Sequence, residues 1–129
     1  MSQWQALRDY IFSNYTVQRD RGEFVQLVFE FGDGRTQLAQ VQYMTLQNGE
    51  EWARVESPIG SMSQLDLTSL LQATSGLVCG GLGCQEDLVT FRDSFPLANL
   101  NVNEFVAPLQ LVVGTADNLE RAFVGTDQF

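Results

Sequence analysis

The sequence predicts an α+β fold: a single domain in the order α-β-β-β-α-β-β-α, with an antiparallel sheet carrying its helices mainly on one face. Three observations predict it. Apolar residues recur three or four apart near both ends of the chain, they alternate along the segments between, and glycines close two short turns. At 129 residues the chain is sized for one domain, residues 1–129, able to bury roughly two thirds of the surface that its unfolded form exposes. No internal repeat, linker or low-complexity tract divides it.

Ser2 is placed to cap a first helix over about residues 3–14, and Trp4, Leu7, Ile11 and Tyr15 give that helix its apolar face. The period then changes. In the run from Phe24 to Phe31, residues Val25, Leu27, Phe29 and Phe31 fall on one side, while Phe24, Gln26, Val28 and Glu30 fall on the other. This is a strand with one wholly apolar face.

Loop length sets the register of the next two strands. A two-residue turn at Asp33-Gly34 would put Val25 opposite Gln42 and mix polar with buried positions. A three-residue loop, Gly32-Asp33-Gly34, pairs Val25 with Val41 and Leu27 with Ala39. The same choice at Gln47-Asn48-Gly49 pairs Tyr43 with Ala53 and Val41 with Val55. Both loops end in glycine, the residue type suited to the left-handed position of a three-residue hairpin. A meander over about 22–31, 36–46 and 51–57 follows, ended by Ser57-Pro58-Ile59-Gly60 because proline donates nothing to a ladder.

Asp66 is positioned to cap a short second helix carrying Leu67, Leu70 and Leu71, with Gly76 as its C′ residue. Leu77 to Leu82 reads as a short strand. Asp87 to Phe95 reads as a longer one, with Val89, Phe91 and Phe95 on one face and Pro96 as its stop. Asn101 and Glu104 have capping-box spacing. Behind them Phe105, Leu109, Val112, Ala116, Leu119 and Phe123 form the seam of a last helix. Pro108 is expected to bend its first turn or delay its start to about residue 106. Gly114 suggests a close approach, or simple tolerance.

Composition removes most catalytic classes. The chain has no histidine and no lysine, and all seven basic residues are arginine. No Ser-His-Asp hydrolase can be assembled within it, no lysine amine is available, and neither glycine-rich stretch continues as a phosphate loop. The carboxylates are scattered and read as solvated charge, so no catalytic residue and no cofactor are expected. Cys79 and Cys84 cannot complete a four-ligand zinc site without carboxylates or a second chain, so no metal is expected. They read as a reduced pair; a bridge would need their Cα atoms within about 7 Å, and a nucleophilic role would need a reactive thiolate.

The net charge of −9 disfavours nucleic acid and anionic membranes as partners. A basic or neutral partner suits it, and solubility alone would explain the same charge. Met1-Ser2-Gln3-Trp4-Gln5 has neither the basic segment nor the apolar run of a leader, and no stretch approaches the ~18 apolar residues of a membrane span. A cytoplasmic location is the expectation.

Three segments, Leu65-Asp66-Leu67-Thr68-Ser69-Leu70-Leu71, Thr90-Phe91-Arg92-Asp93-Ser94-Phe95-Pro96-Leu97 and Ala116-Asp117-Asn118-Leu119-Glu120, together with the element order, give the chain its resemblance to a known family. It resembles the type III secretion chaperone fold and the YbjN-like domains, putative sensory transduction regulators that share the layout. The resemblance implies a homodimer that binds a segment of another protein across its sheet and performs no chemistry, with dimer contacts from the second helix and the short strand after it.

The sheet face opposite the apolar one supplies the candidate site. Leu38, Met44, Trp52, Arg54 and Arg92 point to it, with Phe24, Val28 and Leu88, interleaved with glutamines. Aromatic, methionine and arginine side chains are enriched at interfaces. These residues form a partner face or lie under a helix as ordinary core; Trp52 and Arg54 are expected to be its most exposed pair. An alternative function is sensing a small molecule held between the last helix and the sheet, with Tyr43 and Arg54 supplying polar contacts.

Overall fold

The structure, a computed structural model, describes residues 3–124; Ser2, the expected first cap, lies outside them. The elements are α1 (Gln3–Asn14), β1 (Thr16–Asp20), β2 (Phe24–Glu30), β3 (Thr36–Thr45), β4 (Glu51–Ser61), α2 (Leu67–Thr74), β5 (Gly81–Gln85), β6 (Leu88–Pro96) and α3 (Val102–Phe123). The strands form one antiparallel sheet in the order β1-β2-β3-β4-β6-β5. The element order read from the sequence is present, with β1 added at an edge.

Both hairpins have the expected register. Val25 pairs with Val41 and Leu27 with Ala39, and Tyr43 pairs with Ala53 and Val41 with Val55. Each loop is closed by a backbone pair, Phe31 N to Arg35 O at 2.7 Å and Leu46 N to Glu50 O at 2.9 Å. Gly34 and Gly49 take φ of 84° and 88°, a conformation costly for a residue with a Cβ.

Alternation then sorts the strands' side chains. Val25, Leu27, Ala39, Val41, Ala53, Val55 and Phe91 are fully buried on one face, where all three helices pack. Trp4, Leu7 and Ile11 bring α1 to it, Leu70 brings α2, and Phe105, Leu109, Val112 and Ala116 bring α3. Phe105 stands edge-on to Tyr10, Tyr15 and Phe95 with centroids about 6 Å apart, joining two helices to the sheet. The Trp4 indole N–H donates to the Gly22 carbonyl at 2.9 Å, and Arg8 grips Asp20 through two bonds of 2.7 and 2.9 Å. That grip holds the Asp20 carboxyl down to about 2, the Arg8 hydrogen bond being the main cause.

Several local expectations are corrected. Pro58 does not end the meander: β4 runs on to Ser61, with a bulge between Pro58 and Gly60 that accommodates the missing donor. The Leu77–Leu82 strand instead occupies Gly81–Gln85, because Gly80 turns left-handed and Glu86, also left-handed at φ 54°, closes a two-residue turn to β6. Asp66 caps α2 through Ser69 N, but Gly76 has no left-handed φ. The Asn101–Glu104 capping box is complete and α3 starts at Val102, so Pro108 does not delay it. A Cβ at Gly114 would meet nothing within 4 Å, so no close approach explains that glycine.

The seam of α3 also differs in its last turns. Leu119 and Phe123 are half-buried, while Asp117 and Glu120 are buried in their place. Asp117 is there because Arg35, from the β2–β3 hairpin, forms an ion pair with it. Gln37, fully buried beside this helix face, donates to Ser57 Oγ and the Pro58 carbonyl, each at 2.8 Å.

Candidate functional site

The opposite face of the sheet carries no helix among the described residues. Leu38 and Met44 of β3, Trp52 and Arg54 of β4 and Arg92 of β6 all lie on it, as cross-strand pairs place them: Met44 beside Trp52, Trp52 beside Pro96, Arg54 beside Gln42 and Ser94. All five are half-buried. Trp52 and Arg54 are therefore not its most exposed pair; Gln42 and Ser94 are more open. The Trp52 indole N–H donates to Glu50 at 3.3 Å, which tilts the ring toward the β3–β4 turn. Arg54 Nε is buried without a hydrogen-bond partner among the described residues.

At the centre of this face sits a group that sequence reasoning missed. Glu56 is only 3% exposed although no second layer covers it. Its carboxylate accepts from the Thr90 hydroxyl and from Gln85 Nε2 at 2.8 Å, and Arg92 Nη1 stands 3.9 Å away. The same Gln85 amide donates to Gln40 Oε1 at 3.0 Å. Gln85 is on β5 and Gln40 on β3, strands that would lie about 14 Å apart in a flat sheet, further than two glutamine side chains span. The sheet is bowed around its helix-free face. Only the β4–β6 pairing, invisible along the chain, brings Glu56 against Arg92 and Thr90.

The glycines of β5 belong to this surface. A Cβ on Gly83 would lie 2.4 Å from Arg92 Nε, so the arginine stem runs across a bare backbone. Arg54 and Arg92 together border a shallow groove of about 330 Å³, completed by Gly80, Gly81, Leu82, Asp93 and Ser94. Asp93, at its rim, accepts from the Ser94 backbone N–H at 3.0 Å.

A second surface lies around the edge. Met62, Leu67, Leu71, Leu82, Cys84 and Val89 line an apolar groove of about 300 Å³. Leu71 is 60% exposed there, and Val78, in the loop before β5, is 98% exposed. Cys79 and Cys84 are exposed free thiols.

The residues named for small-molecule sensing do not converge. Tyr43 lies on the helix-covered face, its hydroxyl donating to Glu51 and its ring against Trp4, whereas Arg54 lies on the other. The apolar cleft of about 190 Å³ on the covered side is elsewhere, between α1 and the start of α3, and is lined by Leu7, Tyr10, Leu100 and Phe105.

The six-stranded antiparallel sheet, the three helices on one face and this element order make an α+β fold of the type III secretion chaperone-like kind. Among solved structures the chain is similar to one in the crystal structure of the ExsC-ExsE complex, with a TM-score of 0.61 at 14% identity, over 94% of this chain and 95% of that one. No family model matches the sequence, and no curated protein does. No helix among the described residues is long and apolar enough to cross a membrane.

Proposed function

We propose that the chain is a non-enzymatic, chaperone-like or regulatory protein-binding module of the cytoplasm, which captures a segment of a partner protein on the open face of its sheet. The observation that carries this reading is the bowed, helix-free face on which Leu38, Met44, Trp52, Arg54 and Arg92 stand half-buried side by side. Such a surface offers apolar area and fixed polar groups without the entropy cost of ordering them on binding. The fold's likeness to a chain solved in a two-protein complex is consistent with it. The regulatory, YbjN-like side of the reading rests on the three sequence segments.

The same reading makes the chain a homodimer through α2 and β5. Leu67, Leu71 and Val78 are exposed there around an apolar groove, a surface that a monomer leaves in water. Leu71→Glu then yields monomers by analytical ultracentrifugation. Partner capture is tested with a client identified by affinity purification from the native cell. Trp52→Ala is expected to weaken capture while leaving the unfolding transition cooperative; wild-type affinity in that folded variant rejects the open face as the binding surface.

A further inference from the structure

Arginine is scarce in this chain, and most of it is occupied. Arg8 is held by Asp20, Arg35 by Asp117 and Asp33, and Arg121 lies near Asp117. Arg19 and Arg21 are exposed to water. Arg54 fits neither description. It is half-buried, forms no ion pair among the described residues, and buries its Nε with no acceptor. Burying an N–H of a charged group unpaired is costly, more so than for a neutral donor.

Its surroundings show what would relieve that cost. Across β3, β4 and β6 the open face carries Arg54, Arg92 and a single carboxylate, Glu56, which is buried and already engaged by Thr90 and Gln85. In a chain of net charge −9, the lining of the groove beside them holds two arginines against one carboxylate, Asp93 at the rim. Both arginines border one groove, and Gly80 and Gly81 leave its floor without side chains. Ser94 adds a hydroxyl beside Arg54. Arg92 also stands 3.9 Å from Glu56 and lies across Gly83, and two arginines bordering one opening suit a planar, two-oxygen acceptor.

We propose that Arg54 and Arg92 form a seat for one carboxylate of the captured segment, supplied by an acidic side chain or by the segment's free C-terminus. The assignment builds on the capture reading above and names the chemistry its partner must carry. An apolar side chain would lie next to that carboxylate, on Trp52 and Met44.

The test uses the full chain and small probes, at constant ionic strength. The Nε–Hε resonances of the arginines are followed by NMR during titration with N-acetyl-glutamate α-amide, with N-acetylglycine, with neutral N-acetyl-glutamine amide and with inorganic phosphate. The two carboxylates are expected to give saturating shifts at Arg54 and Arg92, with none at Arg19 or Arg21 and none from the glutamine amide. The tighter of the two carboxylates identifies the source, side chain or C-terminus. Arg54→Lys, which keeps the charge and loses the fork, is expected to weaken binding about tenfold. Non-saturating shifts shared with Arg19 and Arg21 overturn the proposal, as does phosphate binding more tightly than either carboxylate. The wild-type titration decides even where a variant misfolds. It also needs no client, so its failure removes the seat and leaves capture on Trp52 standing, whereas unaltered capture by Trp52→Ala removes the face and leaves a positive titration intact.

Discussion

The two faces of one sheet are built from the same strands and differ in what makes them dry. On the covered face Val41, Val55 and Phe91 are buried by a second layer of helices. On the open face Glu56 and Thr90 are as deeply buried with nothing above them; there, curvature folds neighbouring strands' long side chains over the centre. Burial by a second layer favours apolar side chains, and the polar groups it admits, such as Gln37 and Asp117, bring partners with them. Burial by curvature tolerates a carboxylate, since the covering groups are themselves glutamine, threonine and arginine. The lesson is that a surface can be ordered before anything binds it.

Substitutions can break or sharpen this contrast. The largest effect belongs to the covered face: Phe105→Ala, which empties the junction of α1, α3 and the sheet, is expected to cost about 3–5 kcal/mol, measured by urea denaturation. A loss below about 1 kcal/mol would mean that the helices are not what holds this face. Next is Arg35→Ala, which strands the buried Asp117 carboxylate and is expected to cost about 2–3 kcal/mol. On the open face Trp52→Ala is expected to cost about 1 kcal/mol or less, so equal losses at Trp52 and Phe105 would erase the distinction. Gly114→Ala adds a Cβ into free space within α3 and is expected to stabilise by up to about 1 kcal/mol.

The smallest effect is electrostatic. Asp20 is held near 2 by Arg8, below the ordinary 3.8. Because the folded state holds its proton less tightly than the unfolded one, the contribution is complete above about pH 4 and is lost as the pH falls toward 2. Melting temperatures between pH 5 and pH 2 should therefore fall more steeply in wild type than in Asp20→Asn; parallel curves would show that the Arg8 grip adds nothing to folding.

The elements legible in the sequence were those whose local chemistry had one solution. Gly34 and Gly49 settled two registers, since only a three-residue loop kept Val25, Leu27 and Val41 on one face. Asn101 and Glu104 announced α3 through reciprocal capping. β1 was not legible, because Thr-Val-Gln-Arg-Asp holds one apolar residue and an edge strand needs no periodicity. Pro58 misled for a related reason: a bulge absorbs a missing donor, and nothing along the chain marks a bulge. For the candidate face, alternation alone placed Leu38, Met44, Trp52, Arg54 and Arg92 together. It gave no sign of Glu56, whose burial depends on how far the sheet bends, nor of Asp117 and Glu120 entering the α3 seam.

One consequence of the strand order concerns self-association. An unclosed sheet exposes two rims of unpaired amides, the feature that seeds fibrils when it is long, flat and greasy. Here one rim is β1, five residues kinked by a register shift between Val17 and Arg19, and the other is β5, five residues with glycine at 81 and 83. Neither offers a straight template that successive copies could extend, so edge-to-edge growth of the sheet is disfavoured.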